Sequence, residues 1–417
     1  MADDWEGPGS WQELKEHWPR VIEAIATTEE RRDALDIAFS SLAAAHPRAC
    51  MPKVSEILHD IPSIHVIGFG KASHIMLSEL VRHYNGNIER GIINCPISGN
   101  IGNVVLNKAS HPHPDIPGRK GAEAMMELVE GLSENDILVC LISGGGSAML
   151  PFPRSGIELD HAAKLAKELM EAGADIHELN AVRRAISQVK GGRLAFHSGP
   201  AKVINLIISD VIGNHMEDIA SGPTVHDPGR IHASDVLDKF QIEPTEPIRV
   251  AVESYSPLSN DELPSITNII LADNLTAVDA GVERARKLGY EPIKYWPLEG
   301  EAQKQAGKFV ESGNCVIGGG ETTVHVKGGG KGGRNQEFVL AAVVELEGTL
   351  LSIGTDGIDG NSQSAGAIAD TSTKRLLDPG QYMEINDSNG YFNKVGGLVN
   401  TGPTGTNVSD VAIFLSD

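Results

Sequence analysis

The sequence predicts a two-domain α/β protein built on parallel-rich sheets that helices cover on both faces. Three observations carry this expectation. The 417 residues exceed one typical domain of about 100–200 residues, so two or three domains are expected. Short apolar runs alternate with helical stretches of about 10–15 residues, the mark of βαβ units. Glycine clusters fall mostly just after the apolar runs, where open α/β sheets place their ligands.

Taken in order, Trp11–Trp18, closed by Pro19, and Glu29–His46 read as helices. Ile64–Gly68 is short and mostly apolar, as a buried parallel strand should be, and runs through Gly68-Phe-Gly-Lys71 into a helix ending near Tyr84. Helix Arg119–Leu132 precedes strand Asp136–Ile142, which opens into Ser143-Gly-Gly-Gly-Ser147. Helices Glu158–Glu171 and His177–Val189 lead to strand Lys202–Ser209, which ends at Asp210. Val211–Pro264 is richer in Pro, His and Asp; only the Ser221-Gly-Pro-Thr224 turn and helix Ala233–Phe240 stand out. Strand Thr267–Ala272, helix Asn274–Leu288, strand Pro292–Tyr295 and helix Glu301–Ser312 restore the alternation. Strands Cys315–Gly318 and Thr323–Lys327, helix Arg334–Leu346, strand Leu350–Gly354 and a last strand Val411–Leu415 complete it.

Composition narrows the function classes. Hydrophobic content of 41% and charged content of 22% are ordinary for a soluble protein. The longest apolar stretches, such as Ile137–Ile142 and Val203–Ile208, fall far short of the ~18 residues of a membrane span. The start, Met1-Ala-Asp-Asp-Trp-Glu, is acidic and unlike a signal peptide, so a cytoplasmic location is expected. A net charge of −21 argues against nucleic acid or an anionic membrane as partner. An acidic enzyme with an anionic substrate must gather positive charge locally, and Lys71, Lys190, Arg193, Lys327, Lys331 and Arg334 all lie in or beside glycine clusters. Cys50, Cys95, Cys140 and Cys315 form no C-x-x-C pair, which argues against a zinc site or a disulfide scaffold.

The densest cluster runs from Gly318 to Glu337, with Glu321, Lys327, Lys331 and Arg334 threaded between glycines. Such a run can bring backbone N–H groups, those of Gly330 and Lys331 among them, close to an anion while cations complete the cradle. Its Gly328-x-Gly-x-x-Gly333 matches the dinucleotide fingerprint, with Asp356 roughly where a ribose-binding acid would stand. That favours an NAD(P)H-linked reductase, but the inner Lys331 and the following Arg334-Asn335-Gln-Glu suit a triphosphate or a transferring phosphoryl group better.

Gly68-Phe-Gly-Lys71 is a strand-to-helix turn in which Lys71 can neutralise a substrate or phosphate oxygen; the alternative is a solvated surface lysine. Ser143, Gly144, Gly145, Gly146 and Ser147 offer a nest of N–H donors, and either serine can donate to a phosphate; the alternative is a tight packed turn. Serine-nucleophile hydrolysis is weaker, since Gly-x-Ser-x-Gly is absent and His111 and His113 have no positional claim as its base. Asn180, Arg183 and Arg184 share one helical face, with Lys190 just beyond, so an amide and several cations can address one site or form a solvated basic face. Asp356 and Asp359, in the Gly-rich loop after a strand, suit Mg²⁺ or an Asx turn, and Asp210 and Glu321 are further metal or base candidates. Together these features specify phosphoryl transfer: cations on phosphates, a metal and an oriented nucleophile.

In this order over nearly the whole chain, the motifs resemble those of the class II glycerate kinases, also called the MOFRL family. They are Gly68-Phe-Gly-Lys-Ala-Ser, His111-Pro-His-Pro-Asp, Leu141-Ile-Ser-Gly-Gly-Gly-Ser-Ala, Leu179-Asn-Ala-Val-Arg-Arg and Ile208-Ser-Asp-Val. Ile219-Ala-Ser-Gly-Pro-Thr, Gly319-Gly-Glu-Thr-Thr-Val, Gly332-Gly-Arg-Asn-Gln-Glu, Gly354-Thr-Asp-Gly-Ile-Asp-Gly and Thr401-Gly-Pro-Thr-Gly-Thr-Asn-Val complete them. The resemblance implies ATP-dependent phosphorylation of D-glycerate at the 2-hydroxyl with Mg²⁺. It also implies a Rossmann-like domain at 1–245, a mixed-sheet domain at 246–417 whose end packs back on the first, and an active site in the cleft. By position it makes Lys71 and Arg334 active-site residues. Two departures remove three family carboxylates: Gly213-Asn214-His215 and Ser362-Gln363-Ser364 stand where the family has Gly-Asp-Asp and Thr-Asp-Ala. They leave room for a non-catalytic nucleotide- or acid-binding protein, and the sequence leaves the oligomeric state open, a homodimer included.

Overall fold

The computed structural model describes residues 9–416, and two compact units emerge from it. One is Pro52–Leu271; the other joins the residues up to Met51 to those from Ala272 onward. This differs from the expected boundary at 245/246 in two ways, each with a local cause. Helix Glu246–Glu253 puts Ile248, Ala251 and Val252 into a core with Leu165, Val182 and Leu237, so it belongs to the first unit. Helix Glu29–Ala45 packs on helix Asn274–Lys287, where Gly281 has no side chain to keep Ile37 and Ser41 away. The pairs Arg31–Asp370 and Arg284–Asp36 reinforce that placement in the second unit.

The 52–271 unit holds strands β1 (Ser63–Phe69), β2 (Asn87–Cys95), β3 (Gly99–Ile101), β4 (Val104–Lys108), β5 (Ile137–Ser143), β6 (Lys202–Ile208) and β7 (Ile266–Ala272). Their spatial order is β3-β4-β2-β1-β5-β6-β7, and the sheet is mainly parallel, with β3 antiparallel at one edge. β2 to β4 carry no sequence assignment above, because the outer half of β2 is polar and exposed around Glu89 and Arg90 and lacks an apolar run. The chain runs from β1 outward to β2 on one side and returns through β5 on the other. Adjacent β1 and β5 therefore form the switch point of the sheet.

The other unit holds β8 (Ile293–Glu301), β9 (Cys315–Thr323), β10 (Thr349–Gly354), β11 (Gly366–Asp370), β12 (Leu398–Val399) and β13 (Asp410–Leu415). They form the mixed sheet β12-β11-β10-β13-β9-β8, parallel only between β8 and β9. The chain's last strand, β13, is buried throughout and lies centrally in this sheet, pairing on both sides, and it packs against helix Glu29–Ala45, which falls within the 1–245 span expected for the first domain.

Two local expectations also change. Pro19 does not end its helix, which spans Trp11–Ile25: the proline lies on the exposed face, where water can reach the carbonyl it leaves unpaired. Gly318, Gly319 and Gly320 do not break a strand but lie inside β9. A Cβ on them would stand 2.5 Å from Phe309, 2.5 Å from Asn274 and 2.2 Å from the Leu298 carbonyl, so these glycines serve close packing. All four cysteines are buried, and burial pushes the Cys95 and Cys315 thiols up to about 11.

Candidate active site

At the switch point, the turns after β1 and β5 interlock. The Lys71 N–H donates to the Gly144 carbonyl at 2.9 Å, and the Ala72 N–H donates to Ser143 Oγ at 3.0 Å. Gly70, at φ +120°, lies so close to Ser143 that a Cβ would stand 2.3 Å from its carbonyl oxygen. Ser143 is buried, and by accepting the Ala72 N–H it acts as a strut between the two turns. Gly145, at φ +83°, leaves space for the Lys71 stem and for the His111 ring, which a Cβ would meet at 3.3 and 2.9 Å. His111, given no positional claim by the sequence, thus lies beside Lys71 and the glycine turn.

A buried polar network adjoins this turn. Helix Ile176–Ala185 begins with a capping box at Asp175 and turns Asn180 and Arg183 to the site. Arg184 turns to Asp227 at 3.2 Å and donates to the Glu217 carbonyl at 3.1 Å, with Nη1 also 3.9 Å from Asp218 Oδ1 at the edge of the same network. Asn180 Nδ2 donates to Asp218 Oδ1 at 3.0 Å, Asn180 Oδ1 accepts from Ser221 Oγ at 2.9 Å, and Ser221 Oγ lies 2.7 Å from Ser147 Oγ. Lys190 is buried and donates to the carbonyls of Ser147 and Ala220 at 3.1 and 3.2 Å. Burial, with Arg183 nearby, lowers the Lys190 ammonium to about 7, and burial lowers Arg183 to about 10. Ala220 and Ser221 hold φ of +52° and +63°, a left-handed pair rare outside glycine and costing ~1–3 kcal/mol each. Sequence reading missed Ser221 and Asp218 as site residues: the first was legible only as a turn residue, and the second carries no local signal. Arg193 lies over the Tyr255 ring at 4.6 Å and bonds the carbonyls of Lys190 and Ser256, a packing role.

In the other unit, Arg334 opens helix Arg334–Ala342 and grips Asp410 through Nε at 2.6 Å and Nη2 at 3.1 Å, with Glu321 at 2.7 Å from Nη1. Burial works against the guanidinium's charge, yet Asp410 and Glu321 more than offset it and raise its proton affinity. Asp410, unnoticed in the sequence, starts β13 opposite Gly354 of β10 and Gly320 of β9, so the sheet places it under Arg334. Asn335 is buried, and its side chain is held by Asp410, Asp359 and Ser352 at 2.9, 3.3 and 2.6 Å, which makes it a structural brace.

The glycine-rich run is not an empty anion nest. The Lys327 and Gly328 N–H groups donate to Asn386 Oδ1, Gly330 to the Ile385 carbonyl, Lys331 to Asp387 Oδ1 and Gly332 to Asn361 Oδ1. A Cβ on Gly328 or Gly330 would stand 2.5–2.6 Å from the backbone of residues 385–387, so these glycines admit a neighbouring loop. The helix N-terminus is filled as well: Asp359 accepts from the backbone of Asn335 and Gln336 at 3.0 and 2.8 Å. Its burial, foremost, raises the Asp359 carboxyl to about 6. Backbone capture of phosphate by Gly330 and Lys331, and dinucleotide binding in the fingerprint manner, both lose their donors. The Lys327 and Lys331 side chains remain exposed along the run.

Among the described residues, no group of three or more His, Cys, Asp or Glu is placed to hold a metal. Asp356 Oδ1 accepts from the Ile358 N–H at 3.1 Å in an Asx turn, and Glu321 is engaged by Arg334. Asp210 lies just past the end of β6. Among the same residues, no helix is long and apolar enough to cross a membrane.

A parallel sheet with cations and a serine-glycine turn at its switch point defines an anion-handling α/β protein. Residues 33–253 match the family described as "Domain of unknown function (DUF4147)", and residues 314–410 match the MOFRL family. The chain is 37% identical to a D-glycerate 2-kinase of Thermotoga maritima over 92% of its own length and 97% of that protein. It is 39% identical to a glycerate 2-kinase of Pyrococcus horikoshii over 74% of its own length and 77% of that protein. The crystal structure of the Thermotoga maritima glycerate kinase superposes with a TM-score of 0.82 at 35% identity, covering 93% of this chain and 99% of that one. The chain belongs to the MOFRL-type glycerate 2-kinase family.

Proposed function

We propose that this protein transfers the γ-phosphoryl group of ATP to a hydroxyl of D-glycerate, giving 2-phosphoglycerate. The supporting observation is the similarity to D-glycerate 2-kinase along 92% of the chain, joined to Lys71 standing at the switch point on an interlocked glycine turn. In this reading Lys71 and Arg334 carry charge on the reacting groups. Lys71 is set by its backbone bond to Gly144, and Arg334 by its fork on Asp410. Arg183 and the buried Lys190 add positive potential that favours the acid's carboxylate. Mg²⁺ is part of the proposal, because it takes only one or two carboxylates and completes its shell with water and phosphate. Asp210 or Asp356 would supply a carboxylate to hold it; Glu321 is set aside because Arg334 occupies it. Bound with the nucleotide, the ion would neutralise phosphate charge. A hydroxypyruvate reductase is disfavoured because Asp359 fills the helix N-terminus that a pyrophosphate needs.

The test is ³¹P NMR of the purified protein with Mg-ATP and D-glycerate, beside an NADH-plus-hydroxypyruvate control. A 2-phosphoglycerate resonance appearing with ADP supports the proposal. Absence of any phosphoester, with Asn214, His215 and Gln363 standing where the family has carboxylates, would mean another acceptor or no catalysis.

A further inference from the structure

We propose that Ser147 presents a hydrogen-bond acceptor to the bound substrate, and that its partner there is a hydroxyl of the acid that receives the phosphoryl group. The identity of the acid rests on the kinase reading above; the direction of the bond does not. The two serine hydroxyl protons of the network are fixed by their partners. The Asn180 amide lies between Asp218 Oδ1, an acceptor at 3.0 Å from Nδ2, and Arg183, a donor only, at 3.4 Å from Oδ1. Those two neighbours fix which end of the amide faces Ser221. An amide oxygen only accepts, so Ser221 spends its single proton on Asn180 Oδ1 at 2.9 Å. Ser221 Oγ, 2.7 Å from Ser147 Oγ, must then accept the Ser147 proton. Ser221 and Asn180 are buried while Ser147 is half-exposed, so Ser147 turns its remaining lone pairs outward.

A phosphate oxygen ionised near neutral pH also offers lone pairs, and two acceptors repel. This reverses the expectation that Ser147 donates to phosphate. A partner must bring a proton or a positive charge. Positive charge is opposed, because Lys190 Nζ stands 3.1 Å from the Ser147 carbonyl and Arg183 joins the same network. A neutral donor is the group that remains, and a hydroxy acid supplies one in its hydroxyl together with a carboxylate that the same cations attract. Asn180, Ser221 and Asp218 are then positioning residues acting through Ser147.

Ser147→Ala and Ser147→Thr are to be compared with wild type by calorimetric binding of D-glycerate, D-lactate, 3-hydroxypropionate and Mg-ATP, and by steady-state kinetics. The alanine variant should bind D-glycerate roughly 3- to 10-fold more weakly, the worth of one hydrogen bond, with Mg-ATP binding unchanged and threonine restoring most of the loss. The penalty should vanish for whichever acid lacks the contacted hydroxyl. Weaker Mg-ATP binding with D-glycerate unaffected, or an equal penalty on all three acids, would overturn the proposal. Neutron diffraction from deuterated crystals gives a reading independent of turnover. The Ser147 deuteron should point at Ser221 Oγ, and one pointing outward overturns the inference even if the enzyme is a kinase. A wild type without kinase activity counts against the proposed function alone, and the deuteron still decides the role of Ser147.

Discussion

The ammonium nitrogen of Lys190 lies 3.2 Å from the main-chain carbonyl of Ala220, and Ala220 sits in the left-handed region at φ +52°. A buried cation therefore clamps the strained turn that delivers Ser221 to Ser147. Strain at a non-glycine pair persists only where the surroundings overdetermine it, and Lys190 is one of those surroundings.

Lys190 also makes stability depend on pH, with a definite sign. Its proton affinity falls to about 7 in the folded protein from the usual 10.5, mainly through burial. Between these values the unfolded chain binds more protons than the native one, so stability rises with pH, by at most ~1.4 kcal/mol per unit for one proton. Lys190→Met should remove that rise. Urea unfolding of both proteins from pH 7 to 10 checks it, and parallel slopes would show that Lys190 does not titrate there.

Lys71→Ala should lower kcat on the order of 10²–10³-fold while leaving the fold intact, since removal of one charge-stabilising group costs about that much. The Gly144 contact that sets the turn comes from the Lys71 backbone and survives the substitution. Turnover assays beside circular dichroism decide it; near-normal activity would remove Lys71 from the mechanism.

Arg334→Ala should cost both activity and stability, because it strips the buried Asp410 of its principal charge partner. Breaking one side of a buried pair typically costs ~3–5 kcal/mol, and the partial exposure of Arg334 places this case at the low end of that range. The double variant Arg334→Ala with Asp410→Asn should regain much of the stability but none of the activity. Denaturant midpoints and kcat measured on all three proteins separate the two effects.

Gly70→Ala should disrupt the site from outside the reacting groups. A Cβ there would stand 2.3 Å from the Ser143 carbonyl, and φ of +120° suits only glycine. A loss of ~1–3 kcal/mol is expected together with weakened turnover, since the same turn carries Lys71. Thermal unfolding and kcat/KM provide the check, and unchanged values in both would mean the turn relaxes freely.

Much of the first unit was legible in the sequence. Apolar strands such as Ile137–Ser143 announce burial on both faces, and the glycine turns after β1 and β5 announce a ligand edge. The glycine-rich run misled, because glycine signals close approach without saying what approaches. In β9 it is Phe309, Asn274 and Leu298, and at Gly328 and Gly330 it is the backbone of residues 385–387.

The sequence by itself determined the α/β alternation, the local concentration of cations, and the motifs that place the chain in its family. These depend on residue type at short spacing, which propensity and side-chain chemistry control. Only the tertiary structure decided that Asp410 meets Arg334 across 76 residues, that Ser221 meets Ser147 across 74, and that Asp359 closes the helix that looked ready for a phosphate. Strand order and register create those meetings, and they depend on pairing between distant segments that no local pattern encodes.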